Sequence, residues 1–418
     1  MKTDLAPEFQ GTRDGDAAAA IVRKCVHCGF CNATCPTYQL LGDELDGPRG
    51  RIYLVKQVLE GHDVTRATQL HLDRCLTCRN CETTCPSGVE YGRLVDIGRK
   101  LVDERVPRPL PERAVRWVLK EGLTSPLFGP AVAAGRALRP LLPQVLRNKI
   151  PTHHTGALAA RGRSNAAATA SVPVSRRVLL LEGCVQPTLA PNINAATVRV
   201  LAAAGIEALS AGAAGCCGAL RHHLNDHDGA LDDMRRNIDA WWPAISRGRV
   251  EALIVNASGC SVIVKDYGRA LARDTAYAAK AARVAALARD LSEWLADLAP
   301  LLKGKVRGAA GRPLVFHAPC TLQHGQKSTG VVEAQLSALG FEVRGAREES
   351  HLCCGSAGTY SVLQPELSRQ LRDRKLAGLA AQGPECIVSA NIGCILHLQS
   401  GTATPVRHWI EVLDEALG

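Results

Sequence analysis

Short apolar runs that alternate with helix-like segments dominate the second half of the chain. The runs RRVLLL, VEALIV, RPLVF and CIVS are rich in aliphatic and β-branched residues and have the length of buried strands. Between them lie segments such as NINAATVRVLAAAGI and GVVEAQLSALGF, whose composition and length favour helices. Strands that alternate with helices predict α/β units in this half of the chain.

The order of these elements occurs twice. Each unit contains a strand followed by a cysteine, a helix, a Cys-Cys-Gly turn, a second strand and a closing cysteine. Corresponding cysteines of the two units are separated by 136, 137, 137 and 134 residues. The first unit contributes Cys184, Cys216, Cys217 and Cys260, and the second contributes Cys320, Cys353, Cys354 and Cys394. We therefore predict a duplicated domain at residues 177–305 and 312–418, with cysteines at strand ends, where loop residues commonly form sites.

The segment 111–176, expected to be a helical and basic linker region, differs from both of its neighbours. Between Gly135 and Arg177 the chain contains eight Arg and Lys residues and no acidic residue, which accounts for most of the formal net charge of +10. This alanine-rich, polar sequence predicts an interdomain linker. Docking on an anionic partner subunit or an acidic lipid surface is the alternative. Aromatic residues make up 4% of the chain and do not interleave with these charges, so we expect no nucleic-acid partner.

Seventeen cysteines in 418 residues point to metal binding. The count is odd, and the N-terminal sequence MKTDLAPEFQGTRDGD lacks the apolar core of a secretory signal, so a disulfide framework is not expected. No stretch approaches the roughly 18 uninterrupted apolar residues of a membrane-spanning helix. We expect a cytoplasmic protein with peripheral contact to the inner membrane.

Eight of the cysteines lie in two identically spaced runs, CVHCGFCNATCP and CLTCRNCETTCP. Three cysteines at successive Cys-x2-Cys spacing fold around one corner of an iron–sulfur cube, and the fourth, followed by proline, is free to bind a second cube. The pattern predicts two [4Fe-4S] clusters that exchange their fourth ligands. Cluster 1 is then held by Cys25, Cys28, Cys31 and Cys85, and cluster 2 by Cys75, Cys78, Cys81 and Cys35. Two structural zinc sites are the alternative, although the x3 step and the trailing proline are not features of zinc ribbons.

The residues between the two runs indicate which type of two-cluster domain this is. In DELDGPRGRIYLVKQVLEG, the apolar positions lie mainly on one helical face: Ile52, Leu54, Val55, Val58 and Leu59. An inserted helix favours the helical type of ferredoxin domain over the compact type with β-hairpins, and we place this domain at residues 15–110. The predicted fold class is thus multidomain, α+β and α/β. His27, inside the first run, is expected to be an exposed loop residue.

These motifs together carry a family resemblance. The duplicated units resemble the cysteine-rich CCG domains of heterodisulfide reductase, anaerobic glycerol-3-phosphate dehydrogenase and lactate or glycolate oxidation complexes. Stretches such as CPTYQLLGDELDGPRGRIYL, HLDRCLTCRNCETTCPSGV, NIDAWWPAI and LCCGSAGTY resemble the iron–sulfur subunits of glycolate oxidase, and the resemblance covers nearly the whole chain except the linker. It implies an electron-transfer subunit of a glycolate dehydrogenase that is not catalytic alone. It also implies partner subunits that bind FAD and oxidise glycolate to glyoxylate, and an electron acceptor such as quinone.

The closing segments of the two CCG units differ from those of heterodisulfide-reductase-like proteins. Their final Cys-x-x-Cys is reduced to one cysteine, because Ala257 and Asn391 stand at the first cysteine positions. The four thiols left in each unit are open to two interpretations: ligands of a third iron–sulfur cluster, or the lining of a quinone or partner pocket.

Three other functions are compatible with parts of this pattern. A subunit of an L-lactate or glycerol-3-phosphate dehydrogenase complex would keep the same role with another substrate, whereas a heterodisulfide-reductase-like enzyme would need the complete closing pairs. No Gly-x-Gly-x-x-Gly follows a predicted strand, so no flavin or nucleotide cradle is expected in this chain. His222, His223 and His351 are expected to be hydrogen-bonded or solvent-facing, and Cys386 is expected to be a free thiol packed on a strand.

Overall fold

The computed structural model describes residues 1–139, 176–308 and 311–417. The larger part of the predicted linker, and with it most of the basic segment, lies outside the described residues. The N-terminal part is helical, and the described residues beyond 175 contain two four-stranded parallel sheets. The predicted fold class, a helical ferredoxin-type domain followed by a duplicated α/β domain, is therefore confirmed.

The N-terminal domain is built from helices alone within residues 1–139. Its longer helices are Arg13–Lys24, Pro48–Leu59, Arg66–Asp73 and Tyr91–Arg105, its shorter helices are Phe30–Ala33, Pro36–Leu41 and Asn80–Thr84, and 3-10 turns span Pro7–Phe9 and Glu44–Asp46. The helix Pro48–Leu59 starts on proline, whose missing N–H has no helical partner at this position. It buries Ile52, Val55, Val58 and Leu59, as the apolar spacing predicted, whereas Leu54 is only half-buried.

Two further helices follow this domain in the chain, and the second of them contacts the helix Gln186–Leu189. They span Leu110–Trp117 and Phe128–Ala137, and a π-helical turn at Val118–Gly122 follows the first. Neither helix buries a residue. No helix among the described residues is both long and apolar enough to cross a membrane.

Each CCG unit contains one parallel sheet, and the two sheets have the same strand order. The first unit contains β1 (Arg176–Leu181), β2 (Ile206–Ser210), β3 (Ala252–Val255) and β4 (Ala288–Asp290) in the order β2-β1-β3-β4. The second contains β5 (Leu314–His317), β6 (Val343–Gly345), β7 (Cys386–Ser389) and β8 (Val406–His408) in the order β6-β5-β7-β8. The duplication seen in the sequence is thus a duplication of topology.

Helices connect these strands and cover the sheets. In the first unit they are Gln186–Leu189, Pro191–Ala203, Ala219–His223, His227–Ile245, Ser258–Lys265, Tyr267–Ala270, Ala278–Leu287 and Leu291–Leu302. In the second they are Val331–Ala338, Tyr360–Leu363, Pro365–Ala380, Ile392–Gln399 and Trp409–Ala416, with a π-helical turn at Thr321–Gly325.

The strand β1 shows why the runs in the sequence are continuously apolar. Val178 and Leu180 join a core that also contains Phe316 and Trp409 of the second unit, whereas Leu179 packs in a separate core on the opposite face. Successive side chains of a strand point to opposite faces, so a sheet covered on both sides needs apolar residues at every position. Because one core includes residues of both units, the two units pack as one body.

The cysteines of each unit gather at the carboxyl ends of the parallel strands. Loops after these ends form the binding crevice of open α/β sheets, at the point where the strand order reverses. The closing cysteines differ slightly from the expectation of strand ends: Cys260 and Cys394 lie in the first turns of the helices Ser258–Lys265 and Ile392–Gln399. The short strands end earlier than the apolar runs suggested, and the chain has already turned into a helix at these positions.

Candidate metal centres

The two N-terminal cysteine runs fold into the same local structure. In the first, His27 and Gly29 have φ angles of 60° and 86°, and in the second, Thr77 and Arg79 have φ angles of 52° and 62°. The amide nitrogens of His27 and Thr77 each donate to the sulfur of the cysteine two residues earlier, over 3.4 Å in both runs. These left-handed positions curl each loop, so that its first three cysteines turn towards a common point. His27 is exposed, as predicted.

The fourth cysteine of each run lies with the first three of the other run. A small cavity is lined by Cys25, Cys28, Cys31 and Cys85, with apolar side chains such as Ile52 around them. Burial, and then the neighbouring Cys25, Cys85 and Cys28 thiols, raise the pKa of Cys31 to about 11. We call these four residues the first sulfur group.

A second sulfur group contains Cys75, Cys78, Cys81 and Cys35. Burial raises the pKa of Cys81 well above its ordinary value, and the nearby Cys78, Cys75 and Cys35 thiols add to the effect. The hydroxyl of Tyr91 donates to the Cys75 sulfur over 3.6 Å, and Thr37 Oγ1 lies 3.3 Å from the Cys35 sulfur. Buried thiols crowded in this way are costly to ionise unless cations neutralise them. Two groups of four soft sulfur ligands, in which Cys28 is the one exposed member, fit two [4Fe-4S] clusters.

Arg51 is a buried cation beside the second sulfur group, a role that sequence patterns did not indicate. Its side chain is 1% exposed, and Nη1 donates to Thr37 Oγ1 over 3.1 Å, the hydroxyl that contacts the Cys35 sulfur. Burial lowers the pKa of Arg51, but Tyr91, Cys75, Cys35 and Asp46 together hold it above its ordinary value. The guanidinium therefore stays charged and offsets negative charge on the sulfur ligands.

The four cysteines of each CCG unit also lie together. Cys320 and Cys353 have their sulfur atoms 3.8 Å apart, and Cys354 lies against both Cys353 and Cys394. In the first unit Cys216 contacts both Cys184 and Cys217, and Cys217 contacts Cys260. The glycine after each cysteine pair is required by its backbone: Gly218 and Gly355 have φ angles of 92° and 87°, and a Cβ on Gly355 would lie 2.6 Å from the carbonyl oxygen of Ser368.

The residues that replace the missing cysteines have structural partners. Asn391 Nδ2 lies 3.6 Å from the Cys394 sulfur, and Asn391 Oδ1 accepts a hydrogen bond from the amide of Gly259 over 3.2 Å. Ala257 is buried next to the same segment. The two closing segments therefore contact each other directly, and Asn391 links the second sulfur-bearing helix to the first.

The second CCG unit lies against the second sulfur group of the N-terminal domain. Leu76 and Cys78 share an apolar cluster with Cys320, Cys353 and Tyr360. After burial, the Cys320 thiol is the largest factor that raises the pKa of Cys78. The hydroxyl of Tyr360 donates to the carbonyl of Arg74 over 3.1 Å, which fixes this contact. Sulfur atoms of the two domains are thus neighbours.

A cavity of about 2100 Å³ lies between the N-terminal domain and the two CCG units. Its wall includes Cys78 and cysteines of both CCG units, among them Cys184, Cys260 and Cys394. His351 and Cys386 lie outside these groups: the carbonyl oxygen of His351 accepts a hydrogen bond from His324, and Cys386 is half-buried on β7. His222 contacts Asp96 as expected of a hydrogen-bonded histidine, but the expectation is wrong for His223, whose Nδ1 is buried without a partner.

The chain matches two known domain families and is similar to known proteins. Residues 178–265 and 314–399 match the family of the cysteine-rich domain, and residues 21–89 match that of the 4Fe-4S dicluster domain. The glycolate oxidase iron-sulfur subunit of Escherichia coli is 54% identical over 100% of this chain and 99% of that protein. The probable glycolate oxidase iron-sulfur subunit of Bacillus subtilis is 30% identical over 94% of each chain. Lactate utilization protein A of an Exiguobacterium species is 25% identical over 57% of this chain and 98% of its own length.

Proposed function

Since the chain belongs to the family of glycolate oxidase iron–sulfur subunits, we propose that it accepts electrons from a flavin-containing subunit that oxidises glycolate to glyoxylate and passes them to a quinone. It is an oxidoreductase subunit with iron–sulfur clusters, and substrate oxidation takes place in another chain. The observation that carries this proposal is the continuity of the sulfur sites, which extend from the first sulfur group through the second to the thiols of the second CCG unit.

The two N-terminal sulfur groups are proposed as the ligand sets. Cys25, Cys28, Cys31 and Cys85 hold cluster 1, and Cys75, Cys78, Cys81 and Cys35 hold cluster 2. The proximity of Cys85 to Cys31 and of Cys35 to Cys81 supports this exchange of fourth ligands. When bound, iron–sulfur clusters carry one electron at a time and so divide the two-electron oxidation of a flavin partner into single steps. The protein holds the sulfur atoms in place, buries Cys25, Cys35, Cys75 and Cys81, and supplies the compensating charge of Arg51.

Electrons leave through the second CCG unit in this proposal. Cys320 and Cys353 lie in the apolar cluster that includes Cys78, whereas no thiol of the first unit belongs to it. The thiols of the second unit then either bind a third cluster or line the acceptor pocket. Iron content separates these two arrangements, since the two N-terminal clusters account for about eight irons and a third cluster adds about four.

Contact with an anionic lipid surface is proposed at the helix Leu110–Trp117. A helix on a soluble protein normally turns its apolar face to the core, but here Leu110 and Trp117 are 75% and 62% exposed. Its polar side faces the protein instead, where Arg116 pairs with Asp73 over 3.2 Å. An outward apolar face with a Trp, followed in the chain by a segment rich in Arg and Lys, suits the boundary of an anionic bilayer.

The relay is tested in a reconstituted complex by separating its two half-reactions. We expect Cys85→Ser to damage cluster 1, seen by EPR of the reduced protein, and to slow quinone-analogue reduction while flavin reduction by glycolate in a rapid-mixing experiment is unchanged. Cys386→Ser, on β7 and outside both sulfur groups and the cysteine clusters of the CCG units, is the matched control. Glycolate turnover by this chain alone, or undiminished quinone reduction without cluster 1, would contradict the proposal.

A further inference from the structure

A group of histidines and one carboxylate lies between the two domains, apart from the sulfur groups. Asp96 belongs to the helix Tyr91–Arg105 of the N-terminal domain, and His222 and His223 belong to the short helix Ala219–His223 of the first CCG unit. His222 Nε2 lies 3.2 Å from Asp96 Oδ2. One nitrogen or oxygen atom from each of these three residues lies within 4.8 Å of the others.

Two imidazoles of this group have no partner for one ring nitrogen. The Nδ1 atom of His223 and the Nε2 atom of His227 are buried and make no hydrogen bond. The ring of His227 lies 4.7 Å from that of His222, and the ring of His223 lies 5.5 Å from it, measured between centroids. Buried polar atoms in native proteins nearly always have a hydrogen-bond partner, so two unpartnered ring nitrogens in one small group call for an explanation.

The charges of the group suit a cation. Burial lowers the pKa of both His223 and His227 to about 4, so both rings are neutral at pH 7 and keep a free lone pair. Burial alone would raise the pKa of Asp96, but the His222 ring outweighs it and holds the carboxyl well below its ordinary range. Burial lowers the pKa of His222, but Asp96 outweighs it and holds that pKa above its ordinary value, so a metal ion that binds this imidazole displaces a proton from it. The other two imidazoles have no such carboxylate partner and are left unexplained.

We propose that Asp96, His222 and His223 bind one divalent transition-metal ion, with His227 as a further imidazole in the same pocket. Imidazole nitrogens with one carboxylate are ligands suited to Zn²⁺ or Fe²⁺, whereas the sulfur groups elsewhere suit iron–sulfur clusters. His222, His223 and Asp96 line the same large cavity as Cys216 and Cys217, so a coordination position is open towards that cavity. The site goes beyond the proposed electron relay, because none of its ligands belongs to a sulfur group.

The ion would also join two domains. Asp96 and His222 are 126 residues apart in the chain, and both line the large cavity. A metal ion shared between them would hold the first CCG unit against the ferredoxin-type domain. Its binding would then raise the thermal midpoint of the protein, since a ligand that binds only the folded state stabilises that state.

The test uses the full chain, purified anaerobically with its clusters intact and then freed of loosely bound metal with a mild chelator. Zn²⁺ is added as the probe, and X-ray absorption at the zinc edge reports the ligand atoms. We expect one ion with nitrogen and oxygen ligands and the multiple scattering of imidazole, and a raised thermal midpoint. A sulfur shell around zinc, or no stoichiometric binding, would overturn the proposal.

Variants locate the ion. Asp96→Asn and His223→Gln keep the side-chain shapes and should each weaken Zn²⁺ binding at least about tenfold, the lower end of what even outer-shell changes cost. His351→Gln, in the second CCG unit, is the matched control and should bind as the wild type does. Unchanged affinity in both Asp96→Asn and His223→Gln would refute the site. If Asp96→Asn fails to fold, His223→Gln and the absorption spectrum of the wild type still decide the question.

Discussion

Replacing Arg51 with methionine removes a buried positive charge beside the second sulfur group. The side chain donates from Nη1 to Thr37, from Nε to the carbonyl of His71 over 2.7 Å, and from Nη2 to Asp46 over 3.3 Å. A nearby positive charge stabilises the reduced form of a cluster, which carries one more electron. We therefore predict that Arg51→Met lowers the midpoint potential of cluster 2 and leaves that of cluster 1 much less affected.

The structure sets the size of this effect. Nη1 of Arg51 lies 3.1 Å from Thr37 Oγ1, and that oxygen lies 3.3 Å from the Cys35 sulfur. At a separation of about 6 Å and an effective dielectric constant of about 20, two unit charges interact by about 2.8 kcal/mol. For a one-electron couple this corresponds to about 120 mV. The added electron is spread over the cluster, so this value is an upper bound and a shift of some tens of millivolts is expected.

Redox titration followed by EPR measures the shift, and Arg51→Lys separates charge from hydrogen bonding. Lysine keeps the positive charge but lacks the planar fork of donors of arginine. The midpoint potential of cluster 2 in Arg51→Lys should therefore stay near that of the wild type. Both variants should lose stability to denaturant, by about 1.5–3 kcal/mol for a hydrogen bond to a charged group. The loss of stability is limited because Asp46 stays paired with Arg74, whose Nη1 lies 2.8 Å from Asp46 Oδ2. An unchanged cluster 2 potential in Arg51→Met, or an equal shift in Arg51→Lys, would refute the electrostatic role.

Three further predictions concern the CCG turn, acid stability and the lipid surface. Gly355→Ala should destabilise the protein more than Gly383→Ala in urea unfolding. Both glycines have left-handed backbones, but only at Gly355 would a Cβ lie 2.6 Å from the Ser368 carbonyl oxygen. Equal losses of stability in the two variants would contradict this prediction. Burial lowers the pKa of His408 to about 3, so the unfolded chain takes up a proton below pH 6.5 that the folded chain does not. His408 should then contribute a fall of about 1.4 kcal/mol per pH unit to the free energy of unfolding from pH 6.5 towards pH 3, in addition to the falls due to other buried histidines. The slope of His408→Gln should be shallower than that of the wild type between pH 6.5 and 5, and identical slopes would contradict this. Finally, the protein should cosediment with vesicles containing anionic phosphatidylglycerol more than with phosphatidylcholine vesicles, and Trp117→Glu should reduce that binding. Equal cosedimentation with both vesicle types would refute the proposed contact with an anionic lipid surface.

The local features of this protein could be predicted because they depend on residues close together in the chain. The helix around Ile52 followed from apolar spacing, and the paired loops at Cys25 and Cys75 followed from identical cysteine spacing. The positions of β1 and β5 were predictable from their continuously apolar runs, because a sheet covered on both faces needs apolar residues along its strands. The exact ends of the strands could not be predicted: Cys260 and Cys394, expected at strand ends, lie in helices. Where these helices start depends on how the two closing segments pack against each other.

The relations between distant parts could be found only in the tertiary structure. By itself the sequence determined the repeated units, the helical type of the ferredoxin domain and the residues available as sulfur ligands, since spacing and periodicity act within a few turns of chain. Packing decided that Arg51 lies buried beside the Cys35 and Cys75 thiols, that Cys78 meets Cys320, and that Asp96 meets His222 across 126 residues. Burial and charge compensation depend on every element that surrounds a side chain, and those elements come together only when the domains fold against each other.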